Sequence, residues 1–337
     1  MKGFPKWLTL TLAAGGIFAT GACSGWLLHS HSLSEFRSIR ESTSSYQFIA
    51  PLLFVQIPEE HAFPEYAHLK QALSLYAKAQ EARGEVEIVS IYFRNLDTSQ
   101  WVSVNPEERY KPASMLKVTL LMALLRATEE DPKLLSKKVI ATGVEMITEK
   151  QENYAPKDPM VSGKTYTVEE LLKKLIVDSD NGANQTLYRV VGGDEEVMKI
   201  YDDLAMHRPI ENEQGYAPQE YSRLFRTLYN STYLPRLQSE YALKLLSQTT
   251  FTEGLVAGVP EGTKVSHKFG VGTVINDEGE TSHELHDCGI VYYPGHPYFI
   301  CVMSRGGAFS DLEQVIEGAS RITWEEVDAL HSASAGF

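Results

Sequence analysis

The sequence predicts an α+β fold: an antiparallel sheet, flanked by helices, assembled from both ends of one domain, with an all-helical lobe inserted between. Three observations predict it. β-Branched and aromatic residues concentrate in Val86-Glu87-Ile88-Val89-Ser90-Ile91-Tyr92-Phe93 and in Trp101-Val102-Ser103-Val104. The same signature returns only after residue 264. Between them, apolar residues recur at helical spacing. Hairpins with segregated helices read as α+β, and a cleft between sheet and lobe is a natural place for a site.

Each element follows from its residues. Leu69, Ala72, Leu73, Leu75, Tyr76 and Ala79 predict a helix over 66–83. The strands 86–93 and 101–104 are joined through the turn-like Asn95-Leu96-Asp97-Thr98. Helices are predicted over 114–128, 168–178, 182–191, 195–205, 219–229 and 240–248. Thr167 and Glu170 form a Thr-x-x-Glu capping box for the second of these. Strands are predicted over 264–269, 285–293 and 298–303, the last two flanking the hairpin connection Pro294-Gly295-His296-Pro297. A final helix spans 310–330, and no internal repeat is present.

The N-terminus reads as a membrane element. The 22 residues from Trp7 to Leu28 carry no charge. As a helix they would reach ~33 Å, enough for the hydrocarbon core. Lys2 and Lys6 precede the run, which keeps the N-terminus cytoplasmic and exports the rest. Two readings compete: an uncleaved signal anchor, and a lipoprotein signal ending at Cys23 in Thr20-Gly21-Ala22-Cys23. The anchor is preferred, because the apolar run continues past Cys23 and Thr20 stands where a large aliphatic residue is usual. The resulting division is an anchor (1–28), a Ser-rich tether (29–64) and one domain (65–337). Within the tether stretch, the apolar patch 48–57 is expected to pack onto the domain.

Lys and Arg total 31 against 44 Asp and Glu, a formal net charge of −13. That balance argues against nucleic acid and against adhesion to anionic lipid, both of which need concentrated positive charge. Three scattered cysteines exclude a disulfide scaffold and a Cys-rich zinc site. The histidines do not cluster at metal-ligand spacing, so neither a metal nor another cofactor is expected.

Three short motifs carry chemistry. In Pro112-Ala113-Ser114-Met115-Leu116-Lys117, Ser114 and Lys117 lie three apart on one helix face. A serine at a helix start sits in the positive field of the backbone N–H groups, and a lysine of depressed pKa can take its proton. Ser179-Asp180-Asn181 follows a capped helix. It offers a second hydroxyl for proton relay and an amide for substrate binding, although Asp and Asn are also ordinary helix caps. His267-Lys268-Phe269-Gly270-Val271-Gly272 lies on a late strand. There Lys268 could hold a carboxylate, while Gly270 lets backbone approach a ligand closely. Each motif alone is weak.

In this order, Ser-x-x-Lys, Ser-Asp-Asn and Lys-x-Gly resemble the penicillin-recognising serine hydrolases, and within them the class A β-lactamase-related group. The resemblance extends over 66–330. It implies Ser114 as the acylated nucleophile, Lys117 as its principal base and Ser179 as proton relay. It implies Asn181 and Lys268 as substrate-binding residues, and the backbone N–H groups of Ser114 and Val271 as the oxyanion hole. It further implies a β-lactam or a D-Ala-D-Ala-like peptidoglycan stem peptide as substrate, with no cofactor. A D,D-carboxypeptidase and a non-catalytic wall-binding module are the alternatives. The pairing of Ser114 with Lys117 argues against the latter.

Two departures stand out. Phe269 occupies the place of a Thr or Ser whose hydroxyl binds the substrate carboxylate in the family. The Glu-x-x-Leu-Asn motif of class A enzymes, whose Glu orients the deacylating water, is absent between Asn181 and Pro218. Glu211 and Glu213 are the only carboxylates in the short loop His207-Arg208-Pro209-Ile210-Glu211-Asn212-Glu213-Gln214-Gly215, and they read more readily as a solvated acidic loop. Slow hydrolysis of an acyl-enzyme is the expectation. Cys288 and Cys301 flank the 294–297 hairpin symmetrically, so a disulfide and two buried free thiols are both open.

Overall fold

The computed structural model describes residues 37–40, 46–56, 63–142, 154–209, 215–275, 279 and 281–332. In chain order the strands and helices begin with β1 (Arg37–Arg40) and β2 (Leu52–Gln56), then α1 (Ala67–Arg83), β3 (Ile88–Asn95) and β4 (Trp101–Val104). The lobe follows with α2 (Lys117–Ala127), β5 (Lys138–Ile140), β6 (Thr165–Thr167), α3 (Val168–Val177), α4 (Asn181–Val191), α5 (Asp194–Asp203), α6 (Pro218–Asn230) and α7 (Arg236–Leu246). The chain closes with β7 (Val265–Ile275), β8 (Thr281–Val291), β9 (Tyr298–Gly306) and α8 (Phe309–Ser332).

The central sheet has the order β4-β3-β9-β8-β7 and is antiparallel throughout. Its two N-terminal strands therefore zip onto the three C-terminal ones, as the sequence predicts for an α+β domain. One face packs on α1 and α8 through Leu69, Leu73, Phe93, Ile300, Val302, Leu312 and Ile316. The other face meets the lobe through Phe299, Cys301 and Met303, with Phe225 of α6 on Phe299 at a centroid separation of 5.5 Å. The lobe is organised around α2, whose residues from Lys117 to Leu125 are all buried. A helix apolar all round belongs in a core, and each fully buried Leu contributes about 1.5–3 kcal/mol. The capping box on α3 is present in both directions: the Thr167 hydroxyl accepts from Glu170 N–H, and Glu170 accepts from Thr167 N–H.

Several expectations shift. Ser114 lies in a 3-10 turn (Ala113–Leu116) that precedes α2, not in the first turn of the α-helix. The cause is local: Ala113 has φ 48° and Met115 N–H bonds Pro112 O, which tightens the chain before the regular ladder begins. Strand β7 continues through Gly270 and Gly272 to Ile275, because β8 supplies a partner at every position from Thr281 to Val291. The small β5–β6 sheet and the β1–β2 pair lie outside the expected strands.

Within the stretch assigned to the tether, Phe48, Ile49 and Ala50 are buried, as expected of an apolar patch. The Glu240 carboxylate accepts from the N–H groups of Gln47, Phe48 and Ile49. Arg40 donates to the carbonyls of Ala50 and Leu96 and to Asn230 Oδ1. The signal anchor (1–28) and Cys23 lie outside the described residues; among those described, no helix is long and apolar enough to cross a membrane. Cys288 and Cys301 stand directly opposite on β8 and β9 and form a disulfide, which decides between the two open readings.

Candidate active site

The lobe and the edge strand β7 bring the three motifs together. Lys117 opens α2, one helical turn after Ser114. Its Nζ donates to Ser179 Oγ at 3.1 Å, to Asn181 Oδ1 at 2.8 Å and to the Ser179 carbonyl. From the other side Lys268 Nζ donates to Ser179 Oγ at 2.9 Å and to Phe269 O at 3.1 Å. One hydroxyl thus sits between two amines, all three groups buried.

The backbone explains why Ser179 is held there. It has φ 56°, in the left-handed region, a conformation of appreciable cost outside glycine that persists where neighbours fix it. Asp180 is the fixing neighbour. Its Oδ1 caps α4 by accepting from Gly182 and Ala183 N–H at 2.7 and 3.0 Å, and its Oδ2 accepts from Met160 N–H at 2.6 Å. The sequence offered a helix-cap reading for this motif beside the catalytic one, and Asp180 is indeed the N-cap of α4.

Ser114 is partly exposed on its turn, and among the described residues its hydroxyl makes no hydrogen bond. Tyr221 OH donates to Met115 O at 2.9 Å and steadies the turn from α6. Gly270 meets the turn from β7. A Cβ there would lie 2.4 Å from Pro112 O and 3.3 Å from Met115 N, so only glycine permits this approach. Val271 is the next residue on this sheet-edge strand. Behind β7, His267 Nδ1 lies 2.8 Å from Asp287 Oδ1, and Asp287 Oδ2 accepts from Leu255 N–H at 3.0 Å.

Charge in the site is set by burial. Desolvation lowers Lys117 to about 7, with Asp180 opposing the shift. Lys268 is held well below the ordinary lysine value by burial and by the nearby Lys117, with Asp287 opposing. A lysine amine near neutrality can accept a proton.

The floor beside Lys268 is aromatic. Phe269 stacks on Phe251 at 4.4 Å, and Tyr154 meets Phe269, Phe251 and Phe309 edge-on at 5.7, 5.3 and 5.8 Å. The sequence reading marked Phe269 as a departure but missed this wall, whose members are far apart in the chain. The loop carrying Glu211 and Glu213 leaves the described residues at 210–214. Its returning end is fastened near the site: Tyr110 and Tyr216 exchange backbone hydrogen bonds at 3.1 and 2.8 Å, and Arg109 donates to Gly215 O at 2.9 Å.

Residues 69–327 match the model of the β-lactamase enzyme family. The chain belongs to that family. It is related to the class A enzymes and, as a family member, is a serine hydrolase. VEB-1 β-lactamase of Pseudomonas aeruginosa is 23% identical over 268 residues, covering 73% of this chain and 86% of that protein. Among solved structures, PBP-A superposes with a TM-score of 0.63 at 20% identity, covering 78% of this chain and 97% of that one. TLA-1 extended-spectrum β-lactamase does so with a TM-score of 0.62 at 20% identity, covering 77% and 99%. At this identity the two structures speak for the fold: an α+β β-lactamase domain.

Proposed function

We propose that this β-lactamase-family hydrolase works through an acyl-enzyme on Ser114, with Lys117 as base and Ser179 as proton relay. The observation that carries this reading is the Ser179 hydroxyl held between two buried amines, next to the turn that presents Ser114. Neutral Lys117 takes the Ser114 proton as Oγ attacks the acyl carbonyl. The Ser114 and Val271 N–H groups receive the developing oxyanion. Ser179 hands a proton to the departing nitrogen and is reprotonated from Lys117 or Lys268. Asn181 binds a substrate amide, and Lys268 contributes to substrate binding.

The substrates are β-lactams, as for the relatives named β-lactamases, with a peptidoglycan stem peptide as the related natural acyl donor. The lack of Glu-x-x-Leu-Asn between Asn181 and Pro218 supports acylation that outruns hydrolysis. An extracytoplasmic site of action is supported by the disulfide, which suits an oxidising compartment, and by the charge-free segment after Lys2 and Lys6, which we read as a membrane anchor.

Labelling with a fluorescent penicillin, read by gel and intact mass, tests the proposal. One added acyl group per wild-type chain and none on Ser114→Ala is the expected result. Equal labelling of the two would overturn the nucleophile.

A further inference from the structure

A second cavity, of about 460 Å³, opens at the end of the sheet where the hairpin after β8 turns into β9. It shares no residue with the Ser114 site. Phe48, Tyr292 and Tyr293 wall it together with Tyr229 of α6. Phe48 and Tyr292 meet edge-on at 5.5 Å. Two of the three tyrosine hydroxyls are engaged: Tyr292 OH donates to Phe48 O at 3.1 Å, and Tyr293 OH to Asp328 Oδ1 at 2.8 Å. Tyr229 differs. It is only 4% exposed, and among the described residues its hydroxyl has no hydrogen-bond partner.

The Arg40 guanidinium lies over the Tyr229 ring, 5.0 Å from its centroid. Its terminal nitrogens donate to Ala50 O, Leu96 O and Asn230 Oδ1, while its buried Nε has no partner. Asp97 Oδ1 stands 4.0 Å from that Nε, beyond hydrogen-bond reach. Burial lowers the Arg40 guanidinium and raises the Asp97 carboxyl. Buried polar groups ordinarily find partners, so two donors left open on one cavity are a sign of a ligand. The charged side chains that line the cavity, Arg40 and Asp97, are one of each sign. A ligand with net charge would set a like charge against one of them. A wholly apolar ligand would seal off the Tyr229 hydroxyl and the Arg40 N–H.

We propose that this cavity is a second ligand site and that it takes a neutral saccharide. The rings meet the C–H face of a pyranose. Tyr229 OH and Arg40 Nε–H donate to its oxygens, and Asp97 accepts from its hydroxyls. The proposal goes beyond the acyl-enzyme reading and does not rest on it.

Calorimetric titration of the full chain with N-acetylglucosamine and with its β-1,4-linked trimer tests this, against protonated glucosamine and glucuronate as charged counterparts. The neutral sugars should bind saturably, with a Kd of about 1 mM or below, and more tightly than either charged one. Tyr229→Phe keeps the ring and removes only the hydroxyl. It and Asp97→Asn should each weaken binding by roughly fivefold or more, with labelling of Ser114 by fluorescent penicillin unchanged. No saturable binding of either neutral sugar would overturn the proposal, as would tighter binding of a charged sugar or full affinity in both variants. Tighter binding of the trimer would support the proposal with a glycan strand as the source, and equal affinity would support it with a single ring.

Discussion

A lysine that titrates near neutrality changes two measurable things, and they separate function from folding. Lys117 is lowered from 10.5 to about 7 by burial. If it is the base, the rate of Ser114 acylation should climb through pH 7 and level off above it. Lys117→Arg, which cannot lose its proton, should drop that rate by roughly 10²–10⁴. The stability effect runs by linkage. Between pH 7 and 10.5 the unfolded chain keeps a proton that the folded lysine has lost. Stability from this group therefore rises with pH across that window, by up to about 1.4 kcal/mol per unit. Above pH 10 the buried tyrosines, raised by desolvation, reverse the trend. Urea unfolding at pH 7 and pH 9 should show a larger gain for wild type than for Lys117→Met. Asp180 belongs to the same scale. Removing its carboxylate orphans two N–H groups at the start of α4 and one at Met160. Asp180→Ala should cost about 2–4 kcal/mol in chemical denaturation.

Among the elements, the contact between β7 and the 3-10 turn matters most to the chemistry. Gly270→Ala would drive a Cβ into Pro112 O. The expected outcome is a loss of Ser114 acylation of at least 100-fold with the far-ultraviolet circular dichroism of the wild type retained. An alanine variant with full acylation would show that the strand can shift without disturbing the turn. The disulfide ties β8 to β9 across a sequence separation of 13 residues. Replacing both cysteines by alanine should cost about 3 kcal/mol in thermal or urea unfolding.

Elements also show what a sequence reveals. The five strands of the main sheet were legible, because β-branched runs such as Val89–Phe93 and Phe299–Val302 serve only that structure. The β5–β6 pair was not legible: three residues carry no period, and their pairing is set by tertiary contact. The motifs exposed Ser114, Lys117, Ser179, Asn181 and Lys268 because short-range spacing encodes them. The Tyr154–Phe251–Phe269–Phe309 wall stayed hidden because only folding brings four aromatics from distant segments into contact.

For the whole molecule, the domain is closed by both ends of the chain. The sheet needs α1, β3 and β4 from the front and β7 to α8 from the back. Ahead of α1, the segment from Tyr46 to Ala50 fastens onto the lobe and the sheet end through Glu240 and through Phe48, whose carbonyl accepts from Tyr292 OH at 3.1 Å. A chain starting at residue 58 should therefore melt several degrees below one starting at residue 37, a difference that differential scanning calorimetry would read. Equal melting temperatures would make that segment a passenger.

The grip of Glu240 on three successive amide N–H groups has a mechanical consequence. Tension applied at the N-terminus meets Arg40 first, with its bonds to Leu96 O beside β3 and to Asn230 of α6, and then the Glu240 clip on α7, before it reaches α1. Arg40 and the clip are sets of hydrogen bonds on single side chains, so the first attachments in the load path are weak ones. Pulled from that end, the molecule should yield first by releasing residues 46–56, with the β7–turn contact that frames Ser114 still shielded from the force.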